Sequence, residues 1–116
     1  MRLEARKYRF DIHRAAESIE AFCRGKNFAD YRTDELLQAA VERKFGIIGE
    51  ALARLHAEDP ETASRVPEYR KIIAFRNIIV HGYASVDERI VWGVIEADLS
   101  ALRTAVASLL AEASAA

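Results

Sequence analysis

Phe75-Arg76-Asn77-Ile78-Ile79-Val80-His81-Gly82-Tyr83 closes an apolar, helix-patterned run in a chain of 116 residues. A packed helix end needs only aliphatic side chains, yet this one carries a permanent cation, an amide, an imidazole and a phenol. Polar groups are costly inside packed structure unless they are paired, so their crowding beside Ile72, Ile73, Ile78, Ile79 and Val80 points to a site. Part of the pattern has a plainer explanation. His81 suits the negative end of a helix, and Gly82 suits a left-handed residue that stops it. On an ideal helix, residues four apart differ by about 40° and residues seven apart by about 20°. Asn77 therefore shares a face with His81, and Arg76 with Tyr83. Residues five apart differ by roughly 140°, so Arg76 and His81 do not converge on one straight helix. Three geometries resolve this: a helix break near His81, a swing of the long Arg76 side chain, or a second copy completing the site across a symmetric interface.

Working outward, the same periodicity fills the chain. Ile12, Ala15, Ala16, Ile19, Phe22 and Cys23 form an apolar stripe that predicts a first helix over 5–24, stopped by Gly25. Cys23 reads as a small core residue. Residues 26–32 read as a loop held to the core by Phe28 and Tyr31. Thr33 then serves as N-cap for a second helix over 34–58, with Leu37, Ala40, Val41, Ile48, Leu52 and Leu55 as its stripe. Inside it lies Gly46-Ile47-Ile48-Gly49-Glu50-Ala51. Each interior glycine costs about 1 kcal/mol relative to alanine, so Gly46 and Gly49 both predict close helix approach. Glu50, next to them, is placed to meet Arg76 or His81.

Residues 59–66 read as a loop. Pro67 suits the first position of a third helix over 67–81, whose inner stripe is Ile72, Phe75 and Ile79. Ser85 and Glu88 match a capping box for a fourth helix over 86–113, with Val91, Ile95, Leu99, Leu102, Val106 and Leu109 inside. Trp92 lies beside that stripe. The expected fold is all-α, an antiparallel four-helix bundle forming one domain over 1–116.

Composition restricts the function classes. The net charge of −1 rules out a broadly basic nucleic-acid coat, so any action on RNA requires a local basic site. No apolar run approaches the roughly 20 residues of a membrane span, and the start of the chain lacks the apolar stretch of a signal peptide. One cysteine cannot form an internal disulfide, which fits the cytoplasm. His13, His56 and His81 have no zinc-like spacing, so neither metal nor cofactor is expected.

Arg76-Asn77-x3-His81-x-Tyr83 resembles the R-x4-H-x-Y signature of the HepT-like toxins, within the HEPN superfamily of helical RNases. Gly49-Glu50-Ala51 resembles the family's G-E-A segment, and Val86-Asp87 with Trp92 resembles the segment after its motif. Glu68-Tyr69 departs from the family, which would place a tryptophan directly after Pro67. The resemblance implies a homodimer whose two motifs face one another, cleaving RNA without a metal. It further implies the toxin half of a type VII-like toxin–antitoxin pair, controlled by a minimal nucleotidyltransferase antitoxin that adenylylates Tyr83.

That chemistry is consistent with the side chains. RNA supplies its own nucleophile, the 2′-hydroxyl. An imidazole such as that of His81 exchanges protons near neutral pH, and the forked guanidinium of Arg76 suits a phosphate gaining charge. Asn77 is placed to hold His81 or the phosphate, and Glu50 to orient either cation. The rival expectation is a helical module that binds a nucleotidyltransferase or a nucleotide without cleaving anything. The acidic balance favours that rival, and the set Arg76, His81 and Tyr83 opposes it.

Overall fold

Short polar side chains set where the helices of this chain begin. The structure, a computed structural model, describes residues 3–82 and 86–115. It is all-α, with no strand among the described residues. Helix α1 spans Leu3–Cys23, and the chain leaves it through Gly25, whose φ of 75° a residue without a Cβ adopts at little cost. The expected loop is instead a short helix, α2 (Phe28–Arg32). Its cause is local: the Asn27 side chain accepts from the Asp30 N–H at 2.9 Å, and Asp30 accepts from the Asn27 N–H at 3.0 Å. Tyr31 is buried as expected, its ring 5.5 Å from Trp92, and burial raises the pKa of its phenol.

Helix α3 (Glu35–Glu58) is capped by Asp34, which accepts from the Leu37 N–H at 3.0 Å. Thr33, the expected cap, closes α2 instead, donating its hydroxyl to the Ala29 carbonyl at 3.0 Å. The next predicted loop also contains a helix, α4 (Pro60–Ser64), with Pro60 in its first turn and Asp59 as cap. Helix α5 spans Tyr69–His81. Pro67 therefore precedes it rather than opening it, and Glu68 turns the chain into it with φ of 59°.

Helix α6 (Glu88–Val94) is capped by Asp87, which accepts from the Arg89 N–H at 2.9 Å. Ser85, the expected cap, lies outside the described residues. The run continues through a π-helical segment, Ile95–Leu99, into α7 (Ser100–Ala115). A π turn inserts extra backbone and shifts the buried face. It carries Asp98 to a buried position, where Lys71 of α5 reaches it at 2.7 Å.

The core forms where α1 packs on α3, α3 on α5, and α1 on α7. Ile12, Ala16 and Ile19 meet Val41, Ile48 and Leu52, while Phe45 meets Phe75 edge to face at 5.1 Å. Trp92 belongs to this core. A second charge besides Asp98 lies within the packed region without having been foreseen. Arg9 is 1% exposed, and its guanidinium donates to the Leu109 carbonyl at 3.5 Å. Burial lowers its pKa, an effect that Asp59 and Glu112 oppose. No helix among the described residues is long and apolar enough to cross a membrane.

Asp59 joins these features. It accepts from the Thr62 hydroxyl at 2.7 Å and the Thr62 N–H at 3.2 Å, and these bonds, helped by Arg9, lower its pKa. A depressed carboxylate pKa stabilises the fold above the unfolded value near 4, and that stability is lost as pH falls through the folded value. Asp59→Ala should lower stability at pH 7 by about 1 kcal/mol, the usual worth of a cap. Thermal melts should show the gap between variant and parent closing below about pH 4. A gap unchanged at pH 2.5 would contradict a charged cap.

Candidate active site

Helices α3 and α5 touch where α3 has no side chain. A Cβ built on Gly49 would lie 2.1 Å from Cβ and 2.6 Å from Cγ of Arg76, so the arginine stem occupies the volume an alanine would need. With its stem seated on Gly49, Arg76 directs its guanidinium to the neighbouring residue of α3. Nη2 donates to Glu50 Oε2 at 2.7 Å, and Nη1 donates to Asn77 Oδ1 at 3.0 Å. The other Glu50 oxygen accepts from Arg54 Nε at 3.0 Å. One carboxylate thus serves two guanidinium groups, leaving a formal surplus of one positive charge.

Glu50 is the partner of Arg76 that the sequence suggested. The two side chains are 43% and 30% exposed. An ion pair in that setting is screened and contributes at most about 1 kcal/mol to stability. Its larger consequence is orientation, because Arg76 is tied on two sides with its remaining N–H groups free to meet an anion.

Gly46 behaves differently from Gly49. Nothing lies within 4 Å of a Cβ built on it, so only one of the two expected close approaches occurs. Residues three apart on a helix differ by about 60° around the axis, and only Gly49 faces α5. Gly46 instead faces a groove of about 530 Å³ between α1, α3 and α5, lined by Lys7, Asp11, Arg43, Glu50, Arg54 and Arg76 among others. Sequence reasoning missed this groove. Its signal was present as Arg43, Gly46, Glu50 and Arg54, whose spacing of three, seven and eleven residues follows one helix face.

Helix α5 stays unbroken through His81. Gly82 has φ of −91° and ψ of 46°, so it is not the left-handed stop expected; its N–H bonds to the Ile79 carbonyl at 3.4 Å. Without a break, Arg76 and His81 keep their separation of roughly 140° around the helix. Arg76 is committed to Glu50, and Asn77 bonds to Arg76 rather than to His81. His81 is exposed and makes no hydrogen bond or ion pair among the described residues. The fold thus unites Arg76, Asn77 and Glu50 and leaves His81 apart from them. Tyr83 lies outside the described residues. No group of three or more His, Cys, Asp or Glu among the described residues is arranged to hold a metal ion.

The chain is thus all-helical, with an oriented guanidinium lining a basic groove and an exposed imidazole five residues further on. The model of the HepT-like ribonuclease family matches residues 12–109, and the chain belongs to that family. It is 32% identical over 103 residues to a protein of Thermococcus cleftensis named "Probable ribonuclease HepT", covering 89% of this chain and 93% of that one. It is also 32% identical over 105 residues to a protein of Caldanaerobacter subterraneus subsp. tengcongensis named a "Putative RNase", covering 90% and 93% of the two chains. A third relative, from Methanocaldococcus jannaschii, is named "Gamma-glutamylcyclotransferase and putative RNase" and is 30% identical over 112 residues. That match takes in 97% of this chain but spans only half the length of the relative. No solved structure matches significantly.

The two glycines give opposite expectations. Gly49→Ala forces its methyl against the base of the Arg76 side chain, where overpacking costs about 1–3 kcal/mol. Gly46→Ala meets no atoms and should stabilise the helix by up to about 1 kcal/mol. Denaturant melts of both variants check this, and equal shifts would contradict the assigned contact.

Proposed function

We propose that this chain is the toxin of a type VII-like toxin–antitoxin pair and acts as an endoribonuclease through Arg76 and His81. The observation that carries the reading is the tethered Arg76, oriented by Glu50 and Asn77 beside an open groove, in a chain belonging to a ribonuclease family. In this reading residues 1–116 form one HEPN-like domain of a cytoplasmic protein. Its α1, α3, α5 and the α6–α7 run form an antiparallel four-helix bundle.

The separation of Arg76 from His81 supports a dimer. Ile78 on α5, on the same side of the helix as His81, and Ile90 on α6 leave large apolar side chains exposed near the motif in sequence, as an unfilled interface would, whereas Val80 lines the groove beside Arg76. A two-fold axis then brings His81 of one copy opposite Arg76 of the other, and the composite site closes on one phosphate.

The chemistry needs one attack and two proton movements. The RNA 2′-hydroxyl attacks the adjacent phosphorus, a 2′-oxygen–phosphorus bond forms, and the 5′-oxygen departs. The products are a 2′,3′-cyclic phosphate and a 5′-hydroxyl. His81 moves one of these protons, taking it from the 2′-hydroxyl or giving it to the leaving 5′-oxygen, and water carries the other. Arg76 meets the charge that builds on the phosphate oxygens. Asn77 and Glu50 position Arg76. Because the nucleophile comes from the substrate, this proposed route uses no metal ion.

Arg76→Ala and His81→Ala should each abolish cleavage without changing circular dichroism. Mixing the two inactive variants should restore roughly a quarter of the activity: half the dimers are mixed, and each holds one intact composite site. Failure of the mixture to recover would place both residues in one chain. Cleavage should persist in EDTA, and a loss reversed by a divalent ion would overturn the metal-free route. A chain that still cleaves as His81→Ala, or binds a nucleotidyltransferase but never cleaves RNA, would not be this nuclease.

Tyr83 follows His81 by two residues and is the proposed acceptor of AMP from a minimal nucleotidyltransferase antitoxin. The added phosphodiester would place an anion beside the motif and compete for the guanidinium meant for RNA. Co-expression with such an enzyme should add whole AMP units to the peptide bearing Tyr83, abolish RNase activity, and be blocked by Tyr83→Phe. Intact mass showing no addition, or addition at Tyr8, Tyr31 or Tyr69, would overturn this assignment.

A further inference from the structure

Four cations and two carboxylates line the groove over α3, and both carboxylates are already engaged. Asp11 pairs with Lys7 at 3.7 Å, while Glu50 is shared between Arg54 and Arg76. Arg43 is exposed and makes no hydrogen bond or ion pair among the described residues. It lies eleven residues before Arg54 on the same face, which is roughly 16 Å along the helix axis. Between them α3 contributes Gly46, Ile47, Glu50 and Ala51 to the groove, and nothing lies within 4 Å of a Cβ built on Gly46.

An interior glycine is a poor helix former, and here packing between helices does not account for it. A backbone without a side chain does let a ligand come close. We infer that the groove is a second subsite for the RNA strand, outside the cleavage motif: Arg43 binds a phosphate flanking the one held by Arg76, and Gly46 lets the strand lie against α3. The surplus cations favour a polyanion over an apolar or acidic-poor protein segment. Arg43 and Gly46 are thus positioning residues, and this rests on the proposed RNase reading.

The test uses the full chain and a single-stranded RNA with 2′-O-methyl groups throughout, which binds but lacks the nucleophile. Its affinity is read by fluorescence anisotropy across a salt series. Arg43→Gln should weaken binding several-fold and reduce the slope of log affinity against log salt by about 0.7, the loss of one phosphate contact on a single strand. Gly46→Leu should weaken binding about tenfold while leaving the melting temperature unchanged or higher. Arg14→Gln, in a separate groove beside His13 and Arg103, should change neither affinity nor slope. Variants that bind like the parent, while the parent cleaves unmodified RNA, would overturn the subsite and leave the RNase reading standing. A parent that neither binds the probe nor cleaves RNA would overturn both. If Gly46→Leu spares RNA binding but shifts the oligomeric state, the groove seats protein and the subsite is wrong.

Discussion

The contact of the Arg76 stem with the bare backbone at Gly49 governs the geometry of the site. It sets how closely α5 approaches α3, and it fixes the direction in which the guanidinium leaves its helix. Glu50 is the next residue on α3, so the close approach and the orienting carboxylate come from adjacent positions. A side chain at position 49 would separate the helices and remove Arg76 from its partner together. Packing and electrostatics are coupled here through one missing methyl group.

The same arrangement keeps Arg76 and His81 apart within one chain. A guanidinium drawn towards α3 cannot also reach an imidazole about 140° away on an unbroken helix. Glu50 and Asn77 hold Arg76 in place, whereas His81 remains exposed at the end of α5. In the proposed dimer, preorganising one charged group and supplying the proton carrier from a second copy would make activity depend on assembly.

Much of this was legible from local pattern. The apolar stripes of α1, α3, α5 and the α6–α7 run follow helical periodicity closely enough to place the buried faces, including Ile12, Ile48, Phe75 and Val106. Caps were harder to read because Thr33 and Asp34 are adjacent and both can cap. The choice went to Asp34 because Thr33 was already needed to close α2. The short helices α2 and α4 were invisible to periodicity, since five residues are too few to display a stripe.

By itself the sequence determined the all-helical class, most of the core-facing residues (Phe22, read into the stripe of α1, is exposed), and the pairing of Glu50 with Arg76. These depend on residue type and on spacing along the chain, and both are written in the sequence. Only the tertiary structure decided that Gly49 and not Gly46 carries the crossing, and that Arg9 and Asp98 are buried charges. It also decided that Lys7, Arg43 and Arg76 share a groove. These outcomes depend on the rotation and separation of helices that are distant in sequence. Those quantities emerge when all the packed faces are satisfied together, and a change of about 60° around one axis is enough to exchange a contact for open space.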